Sequence, residues 1–426
     1  MTRREFLKLL GNAGWALPSL SMPLSCAPAL RAPDPATGLS LGYVAGDVTE
    51  NAAVVWVRAE PGSNVVLHYG LDPSLGDFAV IGPQLVDPEA DYSARFHLQK
   101  LLPASVCYYR AAVIGKAPGP IARFVTAPGA DDDKSVVFCF SADTRESYRP
   151  FSVMDAVRAQ RPDFFLHLGD TIYADRNGTA TSLPEFWAKY RNNRDDAATQ
   201  ALHSETSVYV TWDDHEVADN YLPGHPLAPI GYKAFLDYWP IRRDPLAPNR
   251  IYRSFRWGKA LELFILDVRQ YRDRALRTML GNAQKSWLLN GIAKSSAIFK
   301  FIATPVTMDG GGSDRWDGYA KERAEILRFI NGRKIPGVVF LSADLHYAAI
   351  TRIRRGGGLR DIAAGPLGGP LNRITDGSVS RFEFFSAENF NFAKITVDPK
   401  AAPAHALVEF IDQDNQTFHR AKINAG

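Results

Sequence analysis

The chain has 426 residues, of which 46% are apolar and 22% charged, and its formal net charge is +3. That length supports two domains and a large core, and the composition is that of an ordinary globular protein. Basic and acidic residues (49 against 46) are interspersed, which excludes a strongly basic nucleic-acid binder and an acidic tail. The three cysteines, Cys26, Cys107 and Cys139, form no CxxC zinc pattern. Cys107 and Cys139 lie in apolar strand-like runs and are expected as small buried hydrophobes.

The chain opens with Thr2-Arg3-Arg4-Glu5-Phe6-Leu7-Lys8 ahead of an apolar run from Leu9 to Leu24. A paired arginine, a short apolar stretch and a small-residue end resemble a twin-arginine export signal over residues 1–29. An ordinary amphipathic helix is the alternative. The resemblance implies the twin-arginine export machinery as a partner, a periplasmic or secreted destination and no transmembrane span in the mature protein. Two endings compete. Ala27-Pro28-Ala29 offers a cleavage site, and Leu24-Ser25-Cys26 offers an imperfect lipoprotein box with lipid anchoring through Cys26.

Residues 30–38 are Ala/Pro-rich and read as a linker. Short β-branched and aromatic runs follow at 53–57, 65–69, 94–98, 106–111 and 122–125, separated by turn clusters such as Pro61-Gly62-Ser63. This spacing predicts a small β-sandwich over 39–128, similar to a fibronectin type III module. The acidic run Asp131–Asp133 marks a boundary. From 134 to 426 strands and helices alternate. Strands are predicted at 135–140, 163–168, 207–212, 261–266, 299–303, 337–341, 392–397 and 406–411. Helices are predicted at 151–160, 282–294 and 319–331. The alternation argues for a layered α/β domain, whose ligands gather beyond the carboxyl ends of strands.

Polar clusters follow five of these strands: Asp143-Thr144-Arg145, Gly169-Asp170 with Tyr173, Asp213-Asp214-His215-Glu216, Asp267 with Arg269, and Asp344-Leu345-His346. One such Asp is an ordinary strand-end or cap residue. Five in succession would bring carboxylates and imidazoles to one sheet rim, where a scaffold holds a metal rigidly.

The order Asp, Gly-Asp, Asp-His-Glu, Asp-x-His resembles the calcineurin-like metallophosphoesterases. The strings GDTIYAD, WDDHEVADNY, LDVRQYRD and LSADLHYA, with LGYVAGDVTENAAVVWVR near the start, resemble the alkaline phosphatase D (PhoD-like) family from about Leu39 onward. The resemblance implies a four-layer α/β/β/α sandwich and hydrolysis of phosphomonoesters or phosphodiesters. A phospholipase D-like enzyme acting on phospholipid, and a binding protein that has lost turnover, are the alternatives. A lipid substrate would need an apolar groove, for which Tyr221, Tyr232, Tyr238 and Trp239 are candidates, though the same residues equally suit a core.

By the same resemblance, Asp143, Asp170, Tyr173 and His346 would hold one metal, and Asp170, Asp214 and Asp344 a second. Asp170 would bridge them. Fe³⁺ and Ca²⁺ are implied, with Mn²⁺, Mg²⁺ and Zn²⁺ as other occupants. The ligand types agree, since phenolate is a hard anion and the second set is all oxygen. Two positions depart from the family pattern. Asp143 stands where many members carry Cys, and residues 303–306 contain no His, which weighs against a dizinc site. His215 is expected to stay off the metal and act on the phosphoryl group or the leaving oxygen, with Asp213 or Glu216 orienting it. Arg145 and Arg269 are candidate phosphate clamps, and a structural ion pair is the other reading of Arg269. His167 is expected as a satisfied core residue. His203 and His225 are expected in loops. A phosphoester is the only substrate class called for, and no nucleic-acid partner is expected beyond a possible substrate.

Overall fold

The central strands are apolar along nearly their whole length, and successive side chains point to opposite layers. The computed structural model describes residues 33–373 and 382–426, so the export signal at 1–29, Cys26 included, lies outside the described residues. The strands are, in chain order, β1 (Leu39–Gly46), β2 (Ala52–Ala59), β3 (Asn64–Gly70), β4 (Ala79–Leu85), β5 (Ser93–Gln99), β6 (Val106–Val113) and β7 (Ala122–Val125). Then come β8 (Val136–Ser141), β9 (Phe164–Leu168), β10 (Ser207–Thr211), β11 (Arg253–Trp257), β12 (Leu261–Ile265), β13 (Phe299–Ala303) and β14 (Val338–Ser342). The last are β15 (Ala348–Arg352), β16 (Arg360–Ala363), β17 (Phe382–Ser386), β18 (Asn391–Val397), β19 (His405–Asp412) and β20 (Thr417–Asn424).

Six α-helices lie between them among the described residues: α1 (Val153–Ala159), α2 (Leu183–Arg194), α3 (Ala197–Glu205), α4 (Ala228–Tyr238), α5 (Gly281–Lys294) and α6 (Ala320–Gly332). A nine-stranded sheet runs β20-β19-β18-β8-β9-β10-β1-β2-β5, a seven-stranded sheet runs β11-β12-β13-β14-β16-β15-β17, and a four-stranded sheet runs β4-β3-β6-β7. β8, β9 and β10 are parallel neighbours, as are β12, β13 and β14.

The four layers follow from side-chain alternation. On β8, Phe138 and Phe140 enter the core between the sheets, while Cys139 faces the layer of α1–α4 with Phe186, Leu202 and Phe235. On β13, Phe299 and Phe301 join the inter-sheet core, while Ile302 faces Leu288 of α5 and Ile326 of α6. The fold is therefore a four-layer α/β/β/α sandwich. Both described cysteines are buried and free, Cys107 on β6 and Cys139 on β8. Among the described residues no helix is long and apolar enough to cross a membrane.

The N-terminal strands form two facing sheets, but the outer one is not separate. β1 pairs in parallel with β10 through Gly46 and Val208, so β1, β2 and β5 extend the nine-stranded sheet. Gly46 sits where a Cβ would come 2.6 Å from the Val208 carbonyl and 2.5 Å from Pro240, so only glycine allows this junction. Val65, Tyr109 and Phe124 of the small sheet share one continuous core with Phe96, Phe138 and Phe164. Both sets of strands therefore belong to one compact unit.

Candidate metal centre

Each candidate ligand lies just beyond a strand's carboxyl end, in backbone that turns sharply. Asp143 follows β8, Asp170 follows β9, Asp213 and Asp214 follow β10, and Asp344 and His346 follow β14. Asp143 (φ 67°), Asp170 (φ 52°), Asp344 (φ 63°) and His346 (φ 57°) are all left-handed. Asp and His tolerate this region better than most residues, yet each such position stores roughly 1–3 kcal/mol of strain unless neighbours fix it. Neighbours do: Thr144 N–H donates to the Asp170 carbonyl (2.9 Å), and Gly368 N–H donates to that of Asp143 (2.9 Å).

The loops bring three groups of ligand atoms together, each mutually within 4.8 Å: Asp143 with Asp170 and His346, Asp170 with Asp214 and His215, and Asp213 with Asp214 and Asp344. Asp170 and Asp214 are each shared by two groups. The Tyr173 hydroxyl is 3.2 Å from His346 Nε2, which places the phenol on the first group. Buried carboxylate oxygens here lack hydrogen-bond partners: both of Asp143, Oδ1 of Asp214 and Oδ2 of Asp213. Buried anionic oxygens without donors are costly unless a cation meets them. Burial first, then Asp214 and Asp213, drive the Asp170 carboxyl well above its ordinary range. Burial and the carboxylates around it raise the Tyr173 phenol likewise. The donor set is therefore compatible with metal binding.

A sequence profile described as PhoD-like phosphatase matches residues 137–421, and the profile of that family's N-terminal domain matches residues 25–128. The chain belongs to the PhoD-like phosphatase family. It is 26% identical to the alkaline phosphatase D of Bacillus subtilis (strain 168) over 376 residues, 72% of this chain and 64% of that protein. The match thus spans a little under two thirds of the relative's length. The solved structure of PhoD superposes with a TM-score of 0.79 at 21% identity, covering 93% of this chain and 94% of that one. A purple acid phosphatase from yellow lupin (Lupinus luteus) seeds superposes at 0.67 and 14% identity, covering 91% of this chain and 74% of that one. The sandwich described above is thus the fold of both.

Within this PhoD-like frame, the residues around the ligands differ from expectation in several places. His215 is oriented by neither Asp213 nor Glu216. Its Nδ1 lies 2.7 Å from Oδ1 of Asp175, and its ring stacks on Tyr173 at 4.2 Å. Asp175 sits two residues beyond Tyr173 in the same loop, and nothing in the sequence pairs it with a histidine forty positions on. Burial would lower the His215 imidazole, but the Asp175 hydrogen bond and the Asp214 charge outweigh it and raise it.

Glu216 instead holds backbone. Its carboxylate accepts from Asp170 N–H (3.1 Å), Asp213 N–H (2.9 Å) and Thr171 N–H (2.6 Å), locking two ligand loops together.

Arg269 takes the ion-pair reading. Its side chain is 0% exposed; Nε reaches Asp213 at 2.6 Å and Nη1 reaches Asp314 at 3.0 Å, with Nη2 3.6 Å from Asp214. A guanidinium enclosed in this way cannot clamp a phosphate arriving from solvent, so it acts through the carboxylates it holds. Arg145 is partly exposed, with its guanidinium 5.9 Å from the Tyr173 ring centre. Arg315, which the sequence did not mark, donates from Nε to Asp344 Oδ2 at 2.8 Å and keeps 23% of its side chain exposed.

His203 is on α3, not in a loop, and is buried. His225 stays in a loop. His167 is a core residue with Nε2 3.3 Å from the Thr144 hydroxyl. Tyr221, Tyr238 and Trp239 are buried and Tyr232 packs against the same cluster, so these aromatics form core rather than a lipid groove.

Proposed function

We propose that this chain is an exported alkaline phosphatase D-like enzyme that hydrolyses phosphomonoesters and phosphodiesters. The observation that carries the reading is Asp170, shared by two ligand groups whose buried oxygens lack donors, with His215 and Asp175 at their edge. Asp143, Asp170, Tyr173 and His346 would hold one cation, and Asp170, Asp214 and Asp344 the other. We assign Fe³⁺ and Ca²⁺ to them, with Mn²⁺, Mg²⁺ or Zn²⁺ as other occupants. When bound, two such cations neutralise phosphoryl oxygens and acidify an attacking water.

The protein's own groups do the rest. Asp175 fixes His215 with Nδ1–H inward, so Nε2 can give a proton to the leaving oxygen. Arg145 offers its exposed guanidinium edge to a phosphoryl oxygen. Arg315, beside Asp344, can meet a second oxygen. Export is supported by Arg3-Arg4 ahead of the apolar Leu9–Leu24 run.

The test is hydrolysis of p-nitrophenyl phosphate and bis-p-nitrophenyl phosphate by wild type and Asp170→Asn, with metal content measured in parallel. The variant should lose at least about a hundredfold in activity and lose metal. Full activity in Asp170→Asn overturns the reading. Iron with a visible tyrosinate band supports the Tyr173 assignment, and zinc alone overturns it.

A further inference from the structure

Lys189, in the middle of α2, commits its ammonium group to two loops beside the ligand groups. Its Nζ donates to Glu146 Oε1 at 3.1 Å, to the Arg176 carbonyl, and to the Asn177 carbonyl at 3.5 Å. These contacts match the three donors of an ammonium, and the Lys189 and Glu146 side chains are only 14% and 11% exposed. Both loops carry groups of the candidate metal centre. The first, just after β8, holds Arg145 and Glu146. The second runs from Tyr173 to Gly178 and holds the phenol, Asp175 (the partner of His215) and Asn177.

Asn177 joins the two. Its Nδ2 donates to Glu146 Oε1 at 3.3 Å, and its Oδ1 accepts from Arg145 Nη2 at 3.5 Å. The second contact is the one side-chain hydrogen bond of Arg145 among the described residues. So long a bond holds a side chain weakly, and the place of the guanidinium then depends on what fixes Asn177. That residue is exposed and left-handed (φ 50°). Lys189 holds its carbonyl, and Glu146, itself held by Lys189, holds its amide.

We propose that Lys189 is a positioning residue that, through Glu146 and Asn177, holds the Arg145 guanidinium for the phosphoryl group and so favours monoesters over diesters, a role that rests on Arg145 meeting a phosphoryl oxygen as proposed above. A phosphomonoester offers three free oxygens and roughly two negative charges at neutral pH. Esterifying one of those oxygens removes an acceptor and a charge. A guanidinium fixed beside the site therefore does more for the monoester. A lysine that only braced the fold would serve both esters alike.

The test measures kcat/KM for p-nitrophenyl phosphate and bis-p-nitrophenyl phosphate in the full chain with its metals bound. Lys189→Met keeps the stem and removes the donors. Asn177→Gly removes the amide and suits the left-handed backbone. Each should lose about tenfold on the monoester and less than about threefold on the diester. Glu146→Gln, which discharges the partner of Lys189, reads the same ratio if Lys189→Met does not fold. Arg145→Ala should shift the ratio in the same direction, and adding Lys189→Met to it should cost no further activity. Equal losses on both esters in the lysine, glutamate and asparagine variants, or no loss on either, overturn the proposal. So does a Lys189→Met loss that multiplies with that of Arg145→Ala, since Lys189 then acts through something else. If Arg145→Ala hydrolyses both esters at the wild-type rate, the phosphoryl contact of Arg145 is refuted, and the role of Lys189 with it.

Discussion

His215 and Asp175 form a dyad across two loops, with Nδ1 of the imidazole 2.7 Å from the carboxylate oxygen. Both are nearly enclosed, at 12% and 9% side-chain exposure. The pair fixes which imidazole nitrogen faces the ligand groups and raises the imidazole above its ordinary value.

This pair predicts a pH signature. If His215 donates a proton, activity needs its protonated form, so kcat/KM falls as pH rises through its pKa. Asp175→Asn removes a cause of the upward shift and should move that alkaline limb to lower pH. The loss should be larger for an alkyl phosphate, whose leaving group needs the proton, than for p-nitrophenyl phosphate. An unmoved alkaline limb in Asp175→Asn would rule out the dyad as the acid.

Arg269 gives a prediction that separates its two possible roles. Burial would raise the Asp214 carboxyl, but Arg269, followed by His215, outweighs it and holds it at about 2. Arg269→Met leaves Asp213 and Asp214 beside each other without their counter-charge, while Arg272 still pairs with Asp314. Breaking a buried pair from one side costs about 3–5 kcal/mol, measurable by urea unfolding, and metal content should fall with it. A variant of wild-type stability with only a raised KM would restore the phosphate-clamp role.

How much of this was legible follows from the range of each interaction. Strand runs such as 338–341 are continuous apolar stretches, and the Asp after each lies in the next few residues, so the ligand set could be read locally. The start of α2 carries a local signal as well: Glu185 accepts from Ser182 N–H at 2.9 Å, the S-x-x-E spacing of a capping box. The parallel pairing of β1 with β10 joins Gly46 to Val208, and no periodicity in either segment encodes a partner that distant. The same holds for Asp175 with His215 and for Arg269 with Asp314. Residue type showed that these groups are charged, but only the fold shows which charges face each other and which face solvent.

Metal binding should be linked to a proton at His346. Burial would lower this imidazole, but Asp143, 3.5 Å away, outweighs it and the pKa is pushed up to about 9. Nδ1 faces the Pro370 carbonyl at 2.6 Å, so Nε2 is the nitrogen left for a cation. Below about pH 9 that cation must displace a proton, and apparent affinity should fall by up to about tenfold per pH unit. In the metal-free chain the same shift has the opposite reading. A raised folded-state pKa stabilises the fold fully below the ordinary value of 6.5, and that contribution is lost as pH rises through about 9. Calorimetric titration of chelator-stripped protein in buffers of different ionisation heat measures the released proton. Release of none at pH 7 would contradict the assignment of His346.

Gly169 tests whether the two cation sites share Asp170. Its φ is +102°, and a Cβ there would come 2.7 Å from both Cβ and N of Asp213. Gly169→Ala is thus strained by its backbone and blocked by the neighbouring loop, at a cost of roughly 1–3 kcal/mol. Relief requires β9 and β10 to separate at their carboxyl ends, which shifts Asp170 away from Asp214. Because Asp170 belongs to two ligand groups, the variant should lose both metals together, whereas Asp344→Asn, which changes only the group with Asp213 and Asp214, should lose mainly the cation held with Asp214. Metal-to-protein ratios by elemental analysis distinguish the cases. Retention of one full equivalent in Gly169→Ala would mean that Asp170 serves a single site.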